Sequence, residues 1–135
     1  MTVSSATHPG GVIFRAGGAL FFVPATIALK VMPCPEMARI PGAPPELGGV
    51  ALVDGDMIPI IDVLGGGTSS GGKGAPMLVC SVLGEGVGLV GIDVVATGRF
   101  EVGERPGEVK LGAEAARAFD VTGLLARVGE GRWAV

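Results

Sequence analysis

The segment Arg39–Leu64 constrains the fold of this chain more than any other part of the sequence. Its first half contains Pro41, Pro44 and Pro45, which lack a backbone N–H donor and favour extended geometry in the residues before them. Because a helix cannot continue through such a run, we predict a rigid loop as far as Glu46. The first half of the segment is therefore an extended connection that delivers the chain to a strand.

An Asp-Gly pair divides the apolar second half of this segment into two runs. Val50–Val53 precedes Asp54-Gly55-Asp56, and Met57–Val63 follows it. Two β-rich runs on either side of Asp-Gly predict a hairpin whose tight turn requires a positive φ at Gly55. Pro59 lies inside the second run, and a missing N–H is tolerated there at a sheet edge or a bulge.

The composition favours one domain built from short strands. The chain has 135 residues, 48% of them hydrophobic, with 25 Gly and 10 Pro. Frequent turns between runs of Val, Ile and Leu are typical of an all-β barrel or sandwich. No apolar run approaches the roughly 20 residues that cross a bilayer, and the first residues do not resemble a secretory signal. We therefore expect a cytoplasmic protein that does not insert into a membrane.

Charge and residue usage argue against nucleic acid as a partner. The net charge is −3, the ten Lys and Arg residues are scattered, and the sequence contains no Asn, Gln or Tyr. Phosphate binding requires clustered cations, and base recognition commonly uses the missing side chains. Cys34 and Cys80 lie far apart without a C-x-x-C motif, so we predict two buried, reduced thiols rather than a metal site.

Two glycine-rich sequences match enzyme motifs but lack the hydroxyl group or the helix that those motifs require. Gly67–Lys73 matches G-x-x-x-x-G-K, but Gly74 supplies no hydroxyl for Mg²⁺ and a strand rather than a helix is predicted next. Gly86–Gly91 spells G-x-G-x-x-G, yet the β-rich pattern continues where a dinucleotide fold requires a helix. The carboxylates form no recognisable catalytic pair. We therefore predict no catalytic residue, no cofactor and no metal.

The order of elements in Arg39–Val63 resembles the CheW-like domain family: a proline-glycine loop, a strand, a tight turn, and a strand interrupted by Ile-Pro before Ile-Asp-Val. Val12–Pro24 is similar to the family's opening hairpin. Val87–Val95 is similar to its Gly-Leu strand, although Asp93 arrives one place late, which a bulge at Gly91 would absorb. Phe119–Leu125 resembles its closing strand and the start of its terminal helix.

This resemblance implies an all-β fold of two interlocked small SH3-like five-stranded barrels. The second barrel is expected to be reduced, because the Gly-rich hairpin that usually precedes the closing strand is missing or much shortened. We expect residues 1–11 to form a flexible tail and residues 12–135 the domain, with a Gly/Ser-rich loop at 65–76. Residues 114–118 are rich in Ala and Glu and are predicted to form a helical turn.

The resemblance also implies a non-catalytic scaffold. Members of the family are adaptors that couple the cytoplasmic tips of chemoreceptors (methyl-accepting proteins) to the regulatory domain of a CheA-type histidine kinase in bacterial chemosensory pathways. The alternative is a divergent adaptor of the same family. Such an adaptor would bind only one of these partners, or it would bind a partner that is not a chemosensory protein.

The resemblance places protein-binding residues at Ala28, Lys30, Asp54 and Gly55, with the strand around Ile58–Ile60 as supporting core. At the positions of Lys30 and Asp54 the family usually carries Glu and Arg, so both charges are reversed here. Two interpretations stay open: a swapped ion pair that preserves the contact, or two independent surface charges, since exposed pairs contribute only about 0–1 kcal/mol.

Overall fold

The computed structural model describes residues 8–42, 46–65 and 73–129 of the chain. Its elements in chain order are β1 (Gly10–Ala16), β2 (Ala19–Pro24), β3 (Ala28–Pro33), β4 (Leu47–Val53), β5 (Asp56–Asp62), β6 (Pro76–Val82), β7 (Glu85–Val90), β8 (Asp93–Arg99), β9 (Val109–Leu111), β10 (Glu114–Ala118) and α1 (Val121–Gly129). The strands form two five-stranded sheets. The predicted all-β fold class is confirmed. No helix in these described ranges has the length and apolar character needed to cross a membrane.

The two sheets belong to two compact units that share the chain in an interlocked order. Of the described residues, those within Met1–Ala28 and Asp93–Phe119 form unit 1, and those within Leu29–Ile92 and Asp120–Val135 form unit 2. The chain therefore forms the first strands of unit 1, then the sheet of unit 2, and then the remaining strands of unit 1. The helix α1 belongs to unit 2 again. In this sense the interlocked arrangement expected from the sequence is present.

Unit 1 carries the sheet β8-β1-β2-β10-β9. The predicted first hairpin is confirmed, with β1 and β2 antiparallel about Gly17-Gly18. One side of the unit packs Ile13, Leu20, Phe22, Val109 and Ala116 into a buried cluster. The rings of Phe14, Phe21 and Phe119 form a second cluster, with centroids 5.2–5.7 Å apart.

The region expected to be shortened is a small hairpin of β9 and β10. β9 has only three residues, and β10 pairs antiparallel with it and parallel with β2. Unit 1 is therefore reduced at this edge but keeps five strands. The helical turn predicted for Glu114–Ala118 is wrong: these residues are β10, because pairing with two strands outweighs the local helix propensity of Ala and Glu.

Unit 2 carries the sheet β3-β6-β7-β5-β4 around an aliphatic core. The core cluster consists of Cys34, Ala51, Val53, Ile58, Ile60, Met77, Val79 and Val90. The Asp-Gly hairpin is confirmed, with Val53 opposite Asp56 in the β4–β5 register. β5 is an inner strand, but its pairing with β7 begins at Ile60, so the missing N–H of Pro59 precedes that ladder. The β4–β5 register also shifts close to this position, between Leu47 and Gly49.

The chain leaves unit 2 at a sharp break after β7 rather than at a bulge within one strand. Gly91 has a φ of 78° and separates β7 from β8, which belongs to the other sheet. Asp62, the one buried charged residue in the described part of the chain, lies beside it with 5% of its surface exposed. Its Oδ1 accepts a hydrogen bond from the Leu64 backbone N–H at 2.9 Å.

Several expectations fall on residues outside the described ranges. These are residues 1–7 of the expected tail, residues 43–45 of the predicted proline-rich loop, and residues 66–72 of the Gly/Ser-rich loop. β1 begins at Gly10, inside the range expected for the tail. The terminal helix expected after Phe119 is present as α1, and the Asp120 carboxylate accepts a hydrogen bond from the Gly123 backbone N–H at 2.9 Å.

Candidate protein-binding site

The structure brings Lys30 and Asp54 together. Lys30 lies on β3, an edge strand of the unit 2 sheet, and Asp54 lies in the β4–β5 turn, 24 residues later. The Lys30 Nζ donates a hydrogen bond to the Asp54 Oδ2 at 2.5 Å. Of the two interpretations left open by the sequence, the swapped ion pair is the arrangement present.

Backbone conformation fixes Asp54 at the tip of its hairpin. Asp54 and Gly55 have φ angles of 52° and 88°, and positive φ at both central residues is the property of a type I′ turn. A Cβ at Gly55 would meet no atom within 4 Å. The turn is therefore open to solvent, and the side chains of Lys30 and Asp54 remain 42% and 72% exposed.

Ala28 and the residues predicted for the supporting strand are less exposed than Asp54. Ala28 begins β3 and is half-buried. Ile58 and Ile60 belong to the core of unit 2, as expected for the supporting strand, and Pro59 between them is half-buried.

A groove of about 430 Å³ lies beside the Asp54 turn in unit 2. Asp54, Asp56 and Pro59 line it, together with side chains that the sequence did not single out, namely Leu29, Met57 and Glu85. Leu29 and Met57 are 60% and 61% exposed. The sequence offered only a weak signal for Met57, namely an apolar residue directly after Asp56 at the start of a strand. In the structure, Met57 lies opposite Leu52, which is equally exposed.

We expect a small measurable coupling between Lys30 and Asp54. A double-mutant cycle with Lys30→Ala, Asp54→Ala and the double variant should give about 0.2–1 kcal/mol, because both side chains are largely solvated. Urea unfolding measures the coupling, and the coupling should shrink in 1 M NaCl, because salt weakens ion pairs that are exposed to solvent. Strictly additive effects would show that the contact contributes nothing to stability.

The glycines of the G-x-G-x-x-G sequence have structural roles in unit 2. A Cβ at Gly86 would lie 3.0 Å from the Ile58 Cγ2, and one at Gly88 would lie 2.6 Å from the Met77 Sδ. Gly91 carries the positive φ of the strand break. Glycine at positions 86 and 88 leaves room for these neighbouring side chains, and no helix follows the sequence as a dinucleotide site requires.

Only the end of the G-x-x-x-x-G-K sequence lies within the described residues. β6 begins at Pro76, three residues after Lys73, so a strand follows where a phosphate-binding helix would be needed. We expect the wild-type chain and Lys73→Ala to show the same absence of specific ATP binding in isothermal titration calorimetry. Saturable binding that Lys73→Ala abolishes would contradict this.

Both cysteines are buried and neither forms a disulfide bond, as predicted. Cys34 is 2% exposed and Cys80 is fully buried. Burial raises the pKa of the Cys34 thiol, and it raises the pKa of Cys80 to about 12. Since the thiolate is the reactive form, neither side chain is activated for nucleophilic or redox chemistry.

Comparison with known proteins adds two findings. The model of the CheW-like domain family matches residues 10–129. The structure is similar to the crystal structure of the scaffolding protein TtCheW from Thermoanaerobacter tengcongensis, with a TM-score of 0.66 and 20% sequence identity over 84% of this chain and 85% of that chain. At this identity the similarity shows the fold. No curated protein sequence matches the chain.

Proposed function

Because the chain belongs to the CheW-like domain family, we propose that it is a cytoplasmic, non-catalytic adaptor that couples chemoreceptors to a chemotaxis-type histidine kinase. The observation that carries this proposal is the family match across residues 10–129, which spans both units. An adaptor needs two binding surfaces, and a chain that forms two compact units provides room for them.

The surface formed by the Asp54 turn and the groove beside it suits protein binding rather than catalysis. It combines exposed apolar side chains with charged residues held on a well-defined turn, and such combinations are typical of protein interfaces. We assign Ala28, Lys30, Asp54 and Gly55 to the contact with the receptor tip. The kinase regulatory domain is proposed to bind elsewhere on the chain.

The reversed charges at Lys30 and Asp54 favour a second candidate, an adaptor with a restricted partner set. Asp54 presents a carboxylate where the family usually presents a guanidinium. A partner adapted to the usual Arg would meet repulsion or an unpaired charge, and like charges across an interface oppose binding. The chain would then bind one of the two usual partners, or a different protein.

Binding of the isolated partners separates these candidates. The receptor cytoplasmic hairpin and the kinase regulatory domain encoded in the same genome are purified, and each is titrated against the chain by calorimetry. The coupling function predicts saturable binding to both. Binding to one alone supports the restricted adaptor, and binding to neither contradicts a chemosensory role.

A further inference from the structure

The turn between β6 and β7 carries an exposed leucine in an unfavourable backbone conformation. Leu83 has a φ of 54°, and its neighbour Gly84 has a φ of 82°. The left-handed region is sterically unfavourable for residues with a Cβ, and Asn and Gly adopt it far more readily than Leu does. Leu83 is also 92% exposed. Its side chain therefore stabilises neither the turn nor a core, and such an outlier points to a role in binding.

This turn adjoins the groove beside Asp54. Gly84, Glu85 and Gly86, which follow Leu83 directly, all line the groove. Leu29 and Met57 line it too and are more than half exposed. Large apolar side chains left uncovered around one depression are the usual composition of a docking surface.

The charge around the groove specifies the chemistry of the occupant. The charged residues that line it, Asp54, Asp56 and Glu85, are all acidic. Lys30 contacts Asp54, which leaves Asp56 and Glu85 to face a partner. A complementary surface must therefore carry Lys or Arg beside its apolar residues.

We propose that Leu83, in the turn that borders this groove, is an anchor residue for its occupant, and that the occupant is a helical receptor segment that presents apolar residues flanked by Lys or Arg. This inference rests on the proposed function and adds to it a contact residue and the charge of the partner. An amphipathic helix fits because it aligns apolar side chains at i, i+3 and i+4 for insertion into a groove.

The role of Leu83 is tested by measuring thermal stability and receptor binding separately for two variants. Leu83→Asn should raise the Tm by roughly 2–5 °C, because Asn tolerates the left-handed conformation. It should also weaken binding of the purified receptor cytoplasmic hairpin about tenfold or more, because it removes an apolar anchor. The control Leu83→Met keeps an apolar side chain and should bind within about threefold of wild type.

The outcomes of this test are distinct. Unchanged binding by Leu83→Asn would overturn the inference, as would a loss of binding accompanied by a lower Tm, which indicates a structural role. A wild-type chain that binds no receptor hairpin would overturn the assignment to the receptor itself, whatever the variants do.

The charge of the partner is tested by reversal. Glu85→Lys should weaken receptor binding about tenfold, and the loss should diminish as salt is raised. The matched control is Asp93→Lys on β8, which makes the same change in net charge at an exposed residue that does not line the groove and should leave the affinity within about twofold. Equal effects of the two reversals would contradict a basic occupant.

Discussion

A Gly91→Ala substitution is expected to destabilise the folded chain by about 3 kcal/mol, although it adds a single methyl group. Gly91 has a φ of 78°, where alanine pays a steric cost of roughly 1–2 kcal/mol. A Cβ there would also lie 2.5 Å from the Asp62 Oδ1. Moving this buried carboxylate breaks the hydrogen bond from the Leu64 N–H, and an unsatisfied buried polar group costs about 1–3 kcal/mol.

Urea unfolding of Gly91→Ala and Gly55→Ala measures the two contributions separately. Gly55 has a similar φ of 88°, but a Cβ there would meet no atom within 4 Å. Gly55→Ala should therefore show the conformational cost alone, about 1–2 kcal/mol. Equal destabilisation by the two variants would show that the contact with Asp62 does not constrain the strand break.

Unfolding free energy is expected to fall by about 2 kcal/mol between pH 7.5 and pH 10.5 because of Cys80. Burial raises the pKa of this thiol from 9.0 to about 12. Below pH 9 the thiol is protonated in both states. Above pH 9 the unfolded chain releases the proton while the folded chain retains it, so stability decreases as pH rises toward 12. The sequence has no Tyr to titrate in this range.

The measurement compares urea unfolding at the two pH values, under reducing conditions, for wild type, Cys80→Ala and Cys34→Ala. Cys80→Ala is expected to lose most of the pH dependence, whatever its effect on stability at pH 7.5. Cys34→Ala should retain most of it, because the pKa of Cys34 is raised less. An identical pH dependence in all three proteins would contradict the assignment to Cys80.

Local signals were sufficient to predict the hairpins. The Asp54-Gly55 and Gly17-Gly18 turns are encoded by adjacent residues between apolar runs, and the register of each hairpin follows from its turn. The family resemblance supplied what local patterns lack, namely the two-unit arrangement and the proximity of Lys30 to Asp54. Neither follows from hydrophobic periodicity.

Contacts between distant residues account for the errors. The sequence predicted a bulge at Gly91 within one strand from Val87 to Val95, but no local signal indicated that the chain passes there from one sheet to the other. Asp62, which lies 29 residues earlier, occupies the space that a side chain at position 91 would fill. Glu114–Ala118 has helix-forming residues, but pairing with β2 and β9 makes it a strand.

The groove was missed for a related reason. Its lining comes from β3, the β4–β5 hairpin and the β6–β7 turn, which only the folded sheet of unit 2 brings together. Leu83 gave no signal because an apolar residue after a strand is ordinary in sequence. Its significance lies in its positive φ and its 92% exposure.

Reconstitution of receptor control over kinase activity tests the adaptor function most directly. Receptor cytoplasmic fragments, the histidine kinase and this chain are combined, and kinase autophosphorylation is followed with each component omitted in turn. We predict that receptor-dependent control of the kinase requires the wild-type chain and is lost with Asp54→Lys. Control that is equally strong without the chain, or no control in its presence, would contradict the proposal that it couples the two proteins.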